Sequence, residues 1–153
     1  MSRKQCRRKI WSTTINPIQH ALAGASITDK KSLDKLRLLE LSALDSMRMG
    51  KGTIQDWRVL TDMLNICQTF VRHGIGTEAK DDCAMAQESL LNAARRYEKT
   101  KRMGLDGQGI KALQNVHEWH DLQRQSVARS VYEKIIQATA NYLKSSGAEV
   151  VAV

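Results

Sequence analysis

The sequence predicts an all-α fold, an antiparallel helical bundle of about four long helices with a flexible basic N-terminal arm. Three observations carry this. Pro17 is the only proline in 153 residues, so almost nothing interrupts a long helix. Leu, Ile, Val and Met are frequent, and they recur every three or four residues, the period of a helix that buries one face. Glycines at Gly50 and Gly52, Gly74 and Gly76, and Gly104 to Gly109 divide that periodic pattern into helix-length pieces. A chain of this length supports one core. The expected division is a flexible arm over 1–15, a helical-bundle domain over 16–147 and a frayed tail over 148–153.

In order along the chain, residues 1–15 lack a sustained period and lead into Asn16-Pro17, a turn or helix-start signal. A short helix over Pro17 to Ala23 follows, anchored by Ile15, Ile18 and Leu22. The first long helix begins near Thr28-Asp29, whose oxygens can accept the free N–H groups of its first turn. Leu33, Leu36, Ala43, Leu44 and Met47 form its inward stripe, which Leu38 and Leu41 widen. The second starts at Thr53, with Asp56 three residues on in an approximate capping box. Ile54, Trp57, Leu60, Leu64, Cys67 and Val71 make one apolar face of it, and Met63, Ile66 and Phe70 add another. A helix with two apolar faces belongs at the centre of the fold, or at the contact between two copies of it. His73-Gly74-Ile75-Gly76 stops it. Thr77 caps the third helix, which runs to about Lys101 with Cys83, Ala86, Leu90, Ala93, Ala94 and Tyr97 inward. After a glycine turn, Ile110 to Lys144 reads as one long last helix. Its stripe weakens in the middle, at His117, His120, Asp121 and Arg124.

Charge is the strongest functional signal. The chain carries 24 Lys plus Arg against 16 Asp plus Glu, and the excess is concentrated in two clusters. One is the arm, with Arg3, Lys4, Arg7, Arg8 and Lys9; the other is the run Arg95, Arg96, Lys99, Lys101 and Arg102. The remainder of the chain is close to neutral. Concentrated positive charge is the footprint of a polyanionic partner, and flexible basic arms commonly track phosphates. At the end of a helix, however, a basic run also favours the helix dipole and is commonly a solvated face. Both clusters are candidate nucleic-acid contacts.

Other classes find less support. Three cysteines, Cys6, Cys67 and Cys83, without CxxC spacing signal neither a disulfide framework nor a zinc site, which fits a reducing cytoplasm. Cys67 and Cys83 fall on apolar stripes and read as core residues, whereas the cations around Cys6 can lower its pKa. No apolar run reaches the ~18 residues of a membrane span, and Ile10 to Thr14 is no signal-peptide core. His117-Glu118-Trp119-His120-Asp121 is the densest group of metal-capable side chains, but its histidines are three apart, not the four of a zincin. His117, His120, Asp121 and Arg124 therefore read as a hydrogen-bonded polar patch or, secondarily, a ligand site, with no metal or cofactor implied. The segment Ala93 to Leu113 contains helix, turn and helix, yet its turn of about six residues is longer than that of a helix-turn-helix. Trp57 and Trp119 are candidate protein-interface anchors, since tryptophan dominates core and interface packing.

Asn16-Pro17, Gln55-Asp56-Trp57, His73-Gly74-Ile75-Gly76, the basic turn Arg95 to Gly107 and His120-Asp121 together resemble, over residues 16–125, a group of small uncharacterised helical proteins encoded on proteobacterial phages, prophages and plasmids. That resemblance implies a mobile-element accessory protein and carries over no functional residue. The expectation is a cytoplasmic, non-enzymatic protein binding nucleic acid or a nucleoprotein complex through its basic clusters. Two alternatives stand beside it: a protein-binding inhibitor of a host defence or transcription complex, and a homo-oligomeric structural protein such as a homodimer.

Overall fold

Helix boundaries follow local chemistry at most of the expected places. The computed structural model of the chain describes residues 30–146, with α1 at Lys30–Arg48, α2 at Ile54–Arg72, a 3-10 turn at Thr77–Ala79, α3 at Lys80–Thr100, α4 at Gly107–Ser126 and α5 at Arg129–Ser146. The basic arm, the Pro17 to Ala23 segment, the Thr28-Asp29 cap and the tail over 148–153 lie outside the described residues. Thr53 closes a full capping box: its hydroxyl accepts the Asp56 N–H at 3.1 Å, and the Asp56 carboxylate accepts the Thr53 N–H at 2.9 Å. At the other end of α2, Gly74 takes a φ of 80° and the Ile75 N–H returns to the Phe70 carbonyl at 2.9 Å, satisfying a carbonyl the helix leaves open.

Three expected boundaries are corrected. Thr77 does not cap α3; it begins a 3-10 turn that follows left-handed Gly76, and α3 starts at Lys80. Gly107 and Gly109 belong to α4, because the Asp106 carboxylate accepts the Gly109 N–H at 2.7 Å and starts the helix earlier. A Cβ on Gly109 would lie 2.7 Å from the Ser89 Cβ, so the glycine is needed where α4 approaches α3. The expected last helix over Ile110 to Lys144 is two. The chain becomes extended at Val127 (φ −123°, ψ 155°), and α5 restarts with the Ala128 carbonyl accepting from Val131 and Tyr132. Neither glycine nor proline marks this break. Its reason is packing: Val127, Val131, Tyr132 and Ile135 join Phe70 and Ile75 in a second apolar cluster that a straight helix would not place against α2.

The main cluster gathers Leu44 and Met47 of α1, Trp57, Leu60 and Cys67 of α2, Cys83, Leu90 and Ala94 of α3, and Leu113 and Val116 of α4. α2 packs against all four other helices, the central position its two apolar faces predict. Of its second face, Ile66 and Phe70 pack against Val127, Val131 and Ile135, whereas Met63 belongs to the main cluster. Leu38 and Leu41 do not widen the α1 stripe; they are 69% and 48% exposed. The described residues are helical throughout their regular structure, and none of the helices is long and apolar enough to cross a membrane.

Candidate functional site

The basic run forms the far end of α3 and the loop after it. Arg95, Arg96 and Lys99 sit on the exposed side of the last α3 turns, while Ala93 and Ala94 face inward. Lys101 ends the helix in a left-handed conformation, φ 60°, and places its ammonium 5.7 Å from the centre of the Tyr97 ring. Met103 is buried at the next bend, leaving Arg102 pointing outward. The Arg96 guanidinium donates to the Gly104 carbonyl at 2.9 Å and ties the loop back onto the helix. No carboxylate among the described residues lies within ion-pair distance of Arg95, Arg96, Lys99, Lys101 or Arg102.

The loop joining α1 to α2 lies directly against this one. The Gly52 N–H donates to the Met103 carbonyl at 3.0 Å in a single antiparallel bridge, and the Leu105 N–H donates to the Met47 carbonyl at 3.1 Å. Backbones this close leave no room for side chains at the crossing. A Cβ on Gly104 would stand 3.0 Å from the Gly50 Cα, and one on Gly52 would strike the Met47 sulfur. A shallow groove of about 400 Å³ opens between Gly50, Arg96, Thr100, Arg102, Gly104 and Asp106.

The second candidate, His117, His120, Asp121 and Arg124, lies on the inward side of α4, where Arg124 and Asp121 bond to each other, His120 pairs with Gln123 and His117 makes no hydrogen bond through Nε2. Arg124 is fully buried and forms a bidentate pair with Glu40 of α1, both contacts 2.9 Å, and a further contact to Asp121 at 3.1 Å. Arg37, also on α1, holds the Asp121 carboxylate from the other side at 2.9 and 3.0 Å. Burial raises the Asp121 pKa, but these two guanidiniums outweigh it and hold the carboxyl below the usual range. Burial likewise works against the Arg124 charge and is overcome by Glu40. His117 approaches Glu40 to 3.4 Å without the alignment of a hydrogen bond, and burial pushes its pKa down.

His120 has no solvent exposure. Gln123 donates its amide N–H to the Ile75 carbonyl at 3.0 Å, so its carbonyl oxygen faces His120 Nδ1 at 3.1 Å and that nitrogen carries the proton. The ring is neutral, its pKa pushed down to about 3 by burial and then by Arg124. Gly76 completes the clamp. Any Cβ there would meet the Gln123 side chain at 2.8 Å, and its φ of 67° also favours glycine.

Sequence reading misses Glu40 and Arg37. Both occupy α1 positions that read as solvent-facing charge, and only the weakened stripe of α4 hints that its middle faces something polar. The tryptophans divide. Trp57 is 2% exposed and donates its indole N–H to the Leu90 carbonyl at 2.9 Å, so it is a core residue and not an accessible interface anchor. Trp119 is half-buried against the main cluster. Cys67 and Cys83 are buried, as their stripes predict, with sulfurs 3.6 Å apart. A second, apolar groove of about 430 Å³ runs between α2, α3 and the end of α5, past Leu64, Cys83 and Tyr142. Neither groove is lined by His117, His120 or Asp121. Among the described residues, no three His, Cys, Asp or Glu side chains are grouped to hold a metal ion. Comparison with protein-family models, with curated proteins and with solved structures gave no match to this chain.

Proposed function

We propose that the chain is a non-enzymatic accessory protein, antiparallel in its first four helices, that binds nucleic acid or a nucleoprotein complex through Arg95, Arg96, Lys99, Lys101 and Arg102 together with the basic arm. One observation carries the reading: the contrast in how charge is used. Around Arg124 each cation is matched to a carboxylate, whereas the five cations of the run are exposed with no ionic partner among the described residues. Leaving them unmatched contributes nothing evident to the fold and creates a positive field at one end of it. The mobile-element context rests on the sequence resemblance alone.

The test is binding of the full chain to a mixed-sequence duplex of about 20 base pairs between about 50 and 200 mM salt. Affinity should fall linearly on a log–log plot. Replacing Arg95, Lys99 and Arg102 together by glutamine should flatten the line by roughly 0.9 per lost phosphate contact. Arg96 is left in place because it holds the Gly104 carbonyl. An unchanged slope in that variant rejects the reading and favours a protein partner, to be sought by a nuclease-treated pulldown at high salt. The tryptophan-anchored version of that alternative is weakened by the burial of Trp57.

A further inference from the structure

The sequence places a single basic run in this region, but the fold places a second loop beside it. Lys51 lies between Gly50 and Gly52, one residue before the bridge to Met103. Side chains alternate in direction along bridged extended segments, so the buried side of Met103 fixes the opposite side as outward for its neighbours. Lys51 and Arg102 are both exposed on that outward side, and the Arg102 guanidinium reaches to 3.9 Å from where a Gly50 Cβ would be. Three nearby carboxylates are engaged elsewhere, Asp45 with Arg48 at 2.7 Å, Asp56 in the α2 capping box and Asp106 at the start of α4, and the exposed Glu98 within the run makes no ion pair with its cations. Lys51 itself has no ionic partner among the described residues. Two loops from distant parts of the chain thus present one positive surface across a shallow groove.

The chemistry of that surface also narrows its partner. Binding of single strands relies on exposed aromatic rings on which bases stack. Here Tyr97 is half-buried under the Lys101 ammonium, Trp57 is inside the core and Trp119 is packed against it. The exposed ring among the described residues, Tyr142, lies under Arg72 at the opposite end of α2, about 27 Å away by helical rise. What remains is a set of guanidinium and ammonium groups with no exposed ring beside them among the described residues on which an unpaired base could stack. We infer that the α1–α2 loop is the second half of the polyanion surface, with Lys51 a phosphate contact, and that the surface fits the backbone of a nucleic-acid duplex in preference to a single strand. This rests on the nucleic-acid reading above.

The experiment uses the full chain with a labelled duplex of about 20 base pairs and a single strand of the same length, each titrated with salt. Three variants are compared: Lys51→Gln, Arg102→Gln and, as a charge-matched control on α5, Lys134→Gln. The expected result is that Lys51→Gln and Arg102→Gln each reduce the duplex salt slope by about 0.9 while Lys134→Gln leaves it unchanged. Duplex affinity should exceed that for the single strand. If Lys51→Gln matches the control while Arg102→Gln flattens the slope, the second loop is excluded and the nucleic-acid reading stands. Tighter binding of the single strand overturns the choice of duplex. If the unsubstituted chain binds neither strand form, both the inference and the reading fall. Circular dichroism of Lys51→Gln separates a lost contact from a disturbed loop, since the exposed side chain makes no hydrogen bond among the described residues and its replacement should leave the spectrum unchanged.

Discussion

Two groups of arginines, one inside the fold and one at its end, put the same side chain to opposite uses. Arg124 is fully buried, is fixed by Glu40 and Asp121, and joins α4 to α1. Arg102 and its neighbours are exposed and pair with no carboxylate among the described residues, and their contacts are local ones, such as that of Arg96 to the Gly104 carbonyl and of Lys101 to the Tyr97 ring. A buried charge is tolerated only when its partners are in place, so its loss is read in stability. An exposed, unmatched charge is free to meet a partner, so its loss is read in binding. Breaking one region and then the other should therefore give opposite phenotypes.

The largest effect is expected from Glu40→Leu, which strips Arg124 of its bidentate partner in the interior. Removing one member of a buried ion pair costs about 3–5 kcal/mol, and the contact to Asp121, a carboxylate already shared with Arg37, offsets only part of the Arg124 charge. Urea denaturation should show it as a lowered midpoint. The double variant Glu40→Leu with Arg124→Met should recover much of the loss, as apolar replacement of a whole buried pair often does. If the single variant is as stable as the unsubstituted chain, the network does not hold α1 to α4.

Acid should weaken the same region. A folded-state pKa of about 3 for His120 lies well below the ordinary histidine value, so between these limits the unfolded chain binds the proton that the folded chain refuses. Stability from this group is complete above about pH 6.5 and declines as pH falls, by up to about 1.4 kcal/mol per unit. His117, also lowered, adds in the same direction, and Asp121 extends the loss to pH values below the ordinary carboxylate range. Denaturation at pH 7.5 and at pH 5 measures the difference. His120→Asn should flatten the profile, and an equally steep one would show that the histidine is not the titrating group.

How much of this was legible beforehand depends on whether the signal is local. The Thr53 box, the Gly74 stop and the central place of α2 follow from residues adjacent in sequence or from one helical period. The partnership of Glu40 with Arg124 spans 84 positions and has no local signature, because a glutamate on α1 carries no mark of the helix it faces. The weakened stripe at His117 to Arg124 showed that something polar lay there without showing what. The break at Val127 was hidden for a related reason: Ser126-Val127-Ala128 contains no strong helix breaker, and the turn is imposed by the fit of Val131 and Tyr132 against Phe70. Exposure of the basic run was readable in sequence, whereas its meeting with Lys51 required two loops to be bridged.

A smaller effect is expected at Thr53, whose cap lies beside the basic end without belonging to either charge set. Thr53→Ala removes the acceptor for the Asp56 N–H and should cost roughly 1 kcal/mol, within the range for caps of this kind. The thermal midpoint measures it, and the duplex salt slope should stay as it was if the two loops keep their bridge. A change in slope without a change in charge would mean that the position of Lys51 depends on the cap.

The smallest effect on stability should come from the variant that most alters binding. Replacing Lys51, Arg95, Lys99 and Arg102 by glutamine removes four exposed cations that make no ion pair among the described residues. Surface changes of this kind usually stay within about 0.5 kcal/mol, and relief of mutual repulsion here opposes any loss of favourable contact with the end of the α3 dipole. The urea midpoint should therefore match that of the unsubstituted chain while the salt slope falls. A clear gain in stability would sharpen the comparison further, since it would show that the fold tolerates repulsion at this end to keep the charges together. A clear loss would dissolve it, because the basic end would then be held by its cations in the way that α1 and α4 are held by Arg124.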